Sequence, residues 1–292
     1  MRLAYLISAY KNLDQVSRLI RRLHGGGAIF LVHVDRKTSK VEYRPLVDDI
    51  GDLRSVELLE RHTCHWGGFG HVRATLKGIA RLDARGFDFD YLILLTGQDY
   101  PIKPNAFIER FFEDRRGTSF MLFDSLPTEW WSPRGGLDRI EYPHLRFNGH
   151  HARLPVKRSF PRGLKPYGGG AYWSLSRDAV EYVSDFLQER PDVVAFFKHV
   201  DIPDEIFFQT VLLNSPLAKT VVSDNLRHID WTRGPRPAIL ETSDFEALAG
   251  SSKLFARKFD VRHDEQILDL IDERLLERDD AMPSRVLRGI SG

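Results

Sequence analysis

The fold is decided by the amino-terminal stretch Leu3–Lys37, LAYLISAYKNLDQVSRLIRRLHGGGAIFLVHVDRK. It contains two apolar runs of strand length, Leu3–Ile7 and Ala28–Val34. Between them, apolar residues recur at the spacing of one helical face, at Val16, Leu19, Ile20 and Leu23. A strand, a helix and a strand within about thirty residues predict a βαβ unit with two parallel strands. Asn12 is predicted to cap the helix, with Gln15 three residues on as in a capping box.

The alternation of strands and helices continues along the chain and predicts an α/β fold. Further strands are expected at Val56–Leu59, Tyr91–Thr96, Ser119–Phe123, Ala171–Leu175 and Lys219–Ser223. Further helices are expected around 72–80, 106–112, 178–187, 204–213 and 267–275. The stretch Pro127–Gly170 lacks a periodic pattern, and such stretches in compact domains are usually functional or mobile. We predict one domain, residues 1–278, with a mostly parallel central sheet flanked by helices, and a polar tail, residues 279–292.

Composition and charge argue against several classes of protein. The 292 residues carry a formal net charge of +1, so no overall field attracts nucleic acid. The single cysteine, Cys64, can form no internal disulfide, so nothing indicates an oxidising compartment. The apolar runs are too short for a signal peptide or a membrane span. We therefore expect a soluble cytoplasmic protein, compatible with peripheral contact at the inner face of a membrane, and leave its oligomeric state open.

The loops that follow the strands are the expected ligand site. In open α/β sheets, ligands bind beyond the carboxyl ends of the strands. That rule selects the polar loops Ser8–Lys11, His33–Lys37, Thr96–Asp99 and the residues after Asp124. In the second of these loops Asp35 precedes two bases, a pattern that suits a nucleotide, although a solvated turn explains this segment alone slightly better.

A metal ion is permitted but not implied by the sequence. Asp99 follows the central strand with glycine at position 97, so only one carboxylate is present where a divalent cation would bridge phosphates. Gly97 would allow a ligand or a backbone to approach closely. Asp88–Asp90 does spell Asp-x-Asp, but it precedes the strand, at the opposite edge of the sheet, and is interpreted as a solvated turn. Because the histidines and the cysteine lack His-x-x-x-His and Cys-x-x-Cys spacing, no zinc site is expected.

The segment Asp201–Glu205 carries the candidate catalytic acid. Asp201 is predicted as the cap of a helix, with Pro203 in its first turn and acids near the positive end of the dipole. That structural interpretation accounts for every residue. The alternative is that Glu205 projects into the cleft as a general base, kept ionised by the helix amino terminus.

Cations and aromatic residues in the second half suit a phosphorylated sugar. The basic group consists of Arg227, Arg233, Arg236, Arg257 and Lys258. Such cations can neutralise a diphosphate leaving group, although most of them are expected to be solvated surface arginines. The aromatic group in or beside the irregular stretch consists of Trp130, Trp131, Tyr142, Tyr172 and Trp173. Aromatic faces pack against sugar rings, but core packing explains Trp173 equally well.

Seven segments together resemble one family, the core-2/I-branching β-1,6-N-acetylglucosaminyltransferases, which also includes the peptide O-xylosyltransferases. The segments are VHVDRK (32–37), HWGG with Trp66, LLTGQDYPIK (94–103), GGGAYW (168–173), PDEIFFQTVL (203–212), LRHIDW (226–231) and LFARKFD (254–260). They occur in the family's order and run across most of the chain.

The resemblance implies a GT-A-like fold, a UDP-sugar donor and an inverting mechanism that needs no metal or other cofactor. It implies that Glu205 is the general base and that Arg236 and Lys258 bind the diphosphate. Further candidates that follow from it are Asp35 and Asp99 on the donor side, and Trp231, Asp204, Tyr172 and Arg139 on the acceptor side. The partners expected are a UDP-sugar and a glycan or glycosylated acceptor.

Three functions remain open from the sequence. The first is transfer of GlcNAc, and the second is transfer of xylose from UDP-xylose. The third, from another class, is carbohydrate binding without catalysis on a transferase fold. The animal enzymes of the family carry a membrane anchor and disulfides that this sequence lacks, which suggests a bacterial cytoplasmic relative in polysaccharide synthesis.

Overall fold

The structure is a computed structural model, and it describes residues 1–147 and 150–277. Within these ranges the strands are β1 (Leu3–Ala9), β2 (Ile29–Val34), β3 (Val56–Leu58), β4 (Tyr91–Thr96), β5 (Asp99–Pro101), β6 (Ser119–Ser125), β7 (His144–Phe147), β8 (His150–Arg153), β9 (Tyr167–Ser176), β10 (Val221–Val222), β11 (Arg227–Ile229) and β12 (Phe255–Arg257). The predicted tail, residues 279–292, lies outside the described residues, as does the last residue of the predicted domain.

Helices surround the strands on both faces. They are α1 (Leu13–Leu23), α2 (Lys40–Ile50), α3 (Gly70–Arg85), α4 (Asn105–Glu113), α5 (Leu137–Glu141), α6 (Arg177–Glu189), α7 (Pro191–Phe197), α8 (Phe207–Leu213), α9 (Phe245–Ala249) and α10 (Gln266–Ile271). Short 3-10 turns occur at Arg134–Gly136, Pro203–Glu205, Pro216–Thr220 and Thr242–Asp244, and a π turn at Asp272–Leu276. Among the helices of the described ranges, none is both long and apolar enough to cross a bilayer.

The central sheet has seven strands in the order β10-β6-β9-β4-β1-β2-β3. Strands β4, β1, β2 and β3 are parallel neighbours, and β10 is parallel to β6. Strand β9 runs antiparallel between β4 and β6. The predicted α/β fold with a mostly parallel central sheet flanked by helices is confirmed, and the arrangement is consistent with a GT-A-like fold.

Two hydrophobic clusters, one on each face of this sheet, hold the helices in place. Alternate residues of β1 point to opposite faces, so Tyr5 and Ile7 belong to one cluster and Ala4 and Leu6 to the other. The first cluster contains buried residues of α1, α2, α4 and α10, and the second those of α3, α6, α7 and α8. Burial on both faces explains why β2 and β4 are apolar runs in the sequence.

A second, three-stranded sheet in the order β11-β12-β5 lies at the carboxyl end of β4. Strand β12 is antiparallel to β5 and places Arg257 opposite Asp99. This pairing brings the chain that continues into Lys258 back to the loop after β4, because Phe259 donates its backbone N–H to the carbonyl of Gln98 at 2.9 Å.

The predicted capping box at the start of α1 is wrong. Asn12 has a left-handed backbone, φ 48°, and its side chain makes no cap hydrogen bond. It donates instead to Asp260 Oδ1 at 2.6 Å, while Gln15 donates to the carbonyl of Gly97 at 2.7 Å and accepts from Val261 N–H at 3.0 Å. Both side chains form hydrogen bonds with partners distant in sequence, and these bonds connect α1 to the loops at the carboxyl end of the sheet.

Gly97 serves the packing of α1. A Cβ added there would lie 2.7 Å from Cγ2 of Val16 and 3.3 Å from Cβ of Ala9, so the glycine allows the backbone after β4 to approach the helix. The Asp88–Asp90 turn lies before β4 as expected, and Asp88 is 63% exposed and pairs with Arg177 at 2.7 Å. It takes no part in the site described below.

The irregular stretch Pro127–Gly170 contains α5 and the hairpin β7–β8. It also contains the start of β9, which begins at Tyr167 and not at Ala171 as predicted. The consecutive glycines suppressed the strand signal, because glycine has low strand propensity. Gly168 and Gly169 nevertheless pair with Asp124 and Phe123 of β6.

Other boundaries also differ from the predictions. The helix expected over 204–213 is a 3-10 turn followed by α8, because Ile206 at φ −131° and ψ −35° interrupts it. The strand expected over 219–223 is only β10, since a 3-10 turn occupies Pro216–Thr220. Helix α2 was not predicted, although Ser39 and Glu42 form a true capping box there.

Candidate active site

Glu205 lies on the 3-10 turn Pro203–Glu205, which precedes α8 and packs against β9. The residue before this turn, Ile202, has φ 50°, a conformation that costs a non-glycine residue about 1–3 kcal/mol. Backbone hydrogen bonds on both sides hold it, from Ile202 N–H to Gly67 at 2.9 Å and from Asp201 N–H to Arg139 at 3.1 Å. The turn is therefore fixed by contacts with two other segments, and it presents a carboxylate that is about one-third exposed.

The partner of Glu205 is Arg139 of α5. Its Nη1 lies 2.9 Å from Glu205 Oε2, and the guanidinium stacks on the ring of Trp131, 3.9 Å from the centroid. The stacking and the ion pair together restrict the orientation of the guanidinium. Arg139 was predicted as an acceptor contact, and the structure places it as the counter-ion of the candidate base.

The acidity of this turn differs from the prediction. Burial raises the pKa of Glu205 to about 6, the charge of Asp204 adds to the effect, and Arg139 opposes it. Burial also raises the pKa of Asp204 to about 6, and its Oδ1 is buried without a hydrogen-bond partner. The helix amino terminus was expected to keep Glu205 ionised, but the residue stands on a separate turn, and Arg139 supplies that stabilisation.

Asp201 does not cap the helix. Its carboxylate accepts a hydrogen bond from Arg146 and lies 3.8 Å from His151 Nε2 on the hairpin β7–β8. Arg146 in turn lies beside the exposed ring of Trp66, 5.6 Å from its centroid. The carboxylate of Asp201 thus links the segment before the turn Pro203–Glu205 to the hairpin, and this role was not predicted.

The two cations predicted to bind the diphosphate are Lys258 and Arg236. Lys258 follows β12, and its carbonyl accepts from Leu240 N–H at 3.0 Å. Burial lowers the pKa of Lys258, and the charges of nearby cations, Arg236 among them, lower it further. Among the described residues, neither Lys258 nor Arg236 takes part in an ion pair. The structure therefore brings together the two predicted diphosphate ligands.

Arg236 lies on a closed loop that also carries Trp231. Ala238 N–H donates to the carbonyl of Asp230 at 2.9 Å and closes the loop. Arg233 within it donates to the Asp230 carboxylate at 2.7 Å, so that arginine is structural. Trp231, predicted on the acceptor side, is 57% exposed on the same loop as the donor-side Arg236.

Asp99 is fully buried, at the start of β5. Its Oδ2 accepts from Thr96 Oγ1 at 2.7 Å, and its Oδ1 lies 3.3 Å from Arg257 Nε. Arg257 also donates to the hydroxyl of Tyr172, whose pKa burial raises to about 12. Asp99 therefore orients Arg257, while Tyr172, predicted on the acceptor side, lies within electrostatic range of both Asp99 and Asp204.

Asp35, predicted on the donor side, follows directly after β2. It is only 4% exposed, and both carboxylate oxygens are engaged, by Lys37 N–H at 2.8 Å and Cys64 N–H at 3.2 Å. The Nζ of Lys37 lies 3.5 Å from the same carboxylate. A UDP-sugar that contacts Asp35 would therefore have to share the carboxylate oxygens with Lys37 and Cys64.

Two groups of described side chains have the chemistry of metal ligands. One is His33, His62 and Cys64, and the other is His144, His151 and Asp201. Neither includes Glu205, Arg236 or Lys258. Asp99, the carboxylate in the position where a phosphate-bridging cation was considered, is already paired with Arg257.

One protein family and several curated relatives match most of this chain. The family described as "Branch: Core-2/I-Branching enzyme" matches residues 3–248, a range that includes Glu205 and Arg236. Xylosyltransferase 2 of Rattus norvegicus is 28% identical over 298 residues, covering 94% of this chain and 34% of the relative. Xylosyltransferase 1 of Canis lupus familiaris is 26% identical over 294 residues, covering 93% of this chain and 30% of the relative.

The chain spans about a third of the length of the curated relatives that it matches. The family match covers far more than half of the chain. The chain is therefore a member of the Core-2/I-Branching enzyme family.

Proposed function

We propose that the chain is an inverting glycosyltransferase that uses a UDP-sugar donor, with Glu205 as its general base. The observation that carries the proposal is one arrangement at the carboxyl end of the sheet. A carboxylate with a pKa near neutrality is paired with Arg139, while Lys258 and Arg236 form no ion pair with a described residue. A transferase needs both a proton acceptor and stabilisation of a diphosphate leaving group.

The reaction assigns one task to each group. Glu205 takes the proton of the acceptor hydroxyl while that oxygen attacks the anomeric carbon from the face opposite UDP. The bond from the anomeric carbon to the phosphate oxygen breaks, and a single displacement inverts the centre. Lys258 and Arg236 stabilise the charge that develops on the β-phosphate. Two cations can supply the electrostatic stabilisation that a bound metal ion gives other enzymes, so we propose a metal-independent reaction.

The sugar is the finer part of the proposal. The sequence favoured GlcNAc, with xylose as the alternative, whereas the matched relatives are named xylosyltransferases. We therefore rank UDP-xylose first and UDP-GlcNAc second. A GlcNAc pocket must accommodate an N-acetyl group and C6, both of which xylose lacks.

One assay tests the donor and the metal together. Release of UDP from UDP-xylose, UDP-GlcNAc, UDP-glucose, UDP-galactose and UDP-glucuronate is measured in excess EDTA, with added Mn²⁺ as the second arm. One donor is expected to be turned over at the same initial rate in both arms. Loss of turnover in EDTA that Mn²⁺ or Mg²⁺ restores would contradict metal independence. Binding of a donor without any release of UDP would favour a carbohydrate-binding protein.

A pH profile tests the role of Glu205 through Arg139. Because the base must be ionised, kcat/KM is expected to fall as the pH drops through about 6. Arg139 opposes the rise of this pKa, so Arg139→Met should move the acid limb to higher pH, while Arg139→Lys should largely keep it. Arg162→Met, at an exposed position of the same stretch, is the matched control. An acid limb that stays in place in folded Arg139→Met would exclude this coupling.

A further inference from the structure

Three side chains with the chemistry of soft-metal ligands meet at the carboxyl end of β2. His33 belongs to that strand, while His62 and Cys64 belong to the segment between β3 and α3. One ligand atom of each lies within 4.8 Å of the others. His33 is fully buried and Cys64 is 4% exposed. The proposed transfer reaction uses none of the three, so their association calls for a separate explanation.

His62 is held as a metal-binding histidine usually is. Its Nε2 lies 2.8 Å from the carbonyl of Gly70, so this nitrogen carries the hydrogen and donates it. The other nitrogen, Nδ1, then presents a lone pair, and it is buried without a hydrogen-bond partner. Metal-ligating histidines almost always donate their second ring nitrogen to a carbonyl, a carboxylate or water, which fixes the ring and its tautomer.

His33 has one poorly satisfied ring nitrogen in either tautomer. Its ring is fully buried and lies against the ring of His62, with the two centroids 4.3 Å apart. Its Nε2 accepts a long 3.3 Å hydrogen bond from His62 N–H, and its Nδ1 is buried without a partner. A buried polar atom without a partner costs about 1–3 kcal/mol, and coordination of one nitrogen would offset that cost.

Cys64 supplies the sulfur. Its side chain is buried and forms no disulfide. A bound cation would displace the proton, with S–H giving a metal thiolate and H⁺ released to solvent. The carboxylate of Asp35, which accepts from Cys64 N–H at 3.2 Å, adds negative charge beside the cation.

We propose that His33, His62 and Cys64 bind one Zn²⁺ ion or a similar borderline divalent cation. Two imidazoles and a thiolate are the donor set that zinc prefers, and three protein ligands leave one coordination position for a further oxygen or water. Bonds of about 2.0–2.3 Å at tetrahedral angles place ligand atoms roughly 3.3–3.8 Å apart, so ligand atoms that lie within 4.8 Å of one another are already close to coordination distance. The ion would link β2 to the segment before α3, directly beside Asp35.

Co²⁺ binding tests the proposal, because cobalt reports its ligands spectroscopically. The purified full chain, kept reduced and first freed of metal with a chelator, is titrated with Co²⁺. The expected result is one ion bound per chain, with tetrahedral visible bands and a near-ultraviolet thiolate-to-cobalt charge-transfer band. Zn²⁺ should then displace the cobalt. Free Zn²⁺ at about 100 times its Kd should raise Tm by about 5 °C.

Variants decide whether the bound ion is at this site. Cys64→Ser should abolish the charge-transfer band. His62→Ala should weaken Zn²⁺ binding by more than about 100-fold, because loss of a ligand costs more than the roughly 10–100-fold lost with a residue that only hydrogen-bonds to a ligand. His151→Ala, in the other histidine group, should change neither. The Tm of each metal-free variant confirms folding. Absence of a charge-transfer band in the unmodified chain, or equal Zn²⁺ affinity in folded Cys64→Ser, would overturn the proposal.

Discussion

Glu205→Gln should leave a folded protein that binds UDP with nearly unchanged affinity and transfers sugar about 10²–10⁴-fold more slowly. The glutamine keeps the size of the side chain, and its amide oxygen can still accept the 2.9 Å hydrogen bond from Arg139. It removes the negative charge that faces Arg139 and, with it, the ability to take a proton from the acceptor. Because the proposal assigns UDP binding to Lys258 and Arg236 and not to Glu205, that affinity is the internal control.

The matched control is Glu113→Gln, an exposed glutamate at the end of α4. UDP release and Tm are measured for both variants and for the unmodified chain. Glu113→Gln should match the unmodified chain in both. A Glu205→Gln protein of normal Tm and full turnover would remove Glu205 from the mechanism, and the donor-binding part of the proposal would stand independently.

Lys258→Ala should lower kcat/KM for the UDP-sugar by about 10²–10³-fold, the usual cost of losing one preorganised group at a developing charge. Lys258→Arg should recover part of this loss, because it keeps the charge with a different geometry. Lys219→Ala, at an exposed position remote in sequence, should have no effect. Steady-state kinetics and UDP titration separate the effect on the transition state from the effect on binding.

A double-mutant cycle sharpens this prediction. If Lys258 and Arg236 contact one diphosphate, the loss in Lys258→Ala together with Arg236→Ala should be clearly smaller than the sum of the two single losses. Fully additive losses would mean that the two cations act at separate places. A normal kcat/KM in Lys258→Ala would contradict the assignment of Lys258 to the diphosphate leaving group.

The sequence predicted the architecture where periodicity was strong. Strands β2 and β4 are buried on both faces, and their nearly continuous apolar runs were interpretable without structure. It failed where tertiary contacts override local preference. Asn12 looked like a helix cap but donates to Asp260, 248 residues away. Glycines hid the start of β9, which exists because Gly168 pairs with β6.

The sequence indicated which segments carry the candidate site residues, but not which side chains those residues contact. The motif that contains Glu205 pointed to the residue, but the 3-10 turn depends on Ile202 at φ 50°, which no propensity of isoleucine indicates. Its counter-ion, Arg139, is 66 residues away. Likewise, spacing rules for zinc detect ligands close in sequence, whereas His33 and Cys64 come from different segments of the chain.

Arg139, which stacks on Trp131, connects two properties that are usually engineered separately, the choice of acceptor and the dependence of the reaction on pH. Arg139 lies in the stretch between β6 and β9 and was predicted as an acceptor contact, yet its guanidinium also opposes the rise of the Glu205 pKa. Under the proposed mechanism, exchanging that stretch for the corresponding segment of a relative would therefore change the pH dependence of the reaction together with the acceptor contacts. A chimaera screened for a new acceptor only at neutral pH could be discarded as inactive although its base merely needs more alkaline buffer.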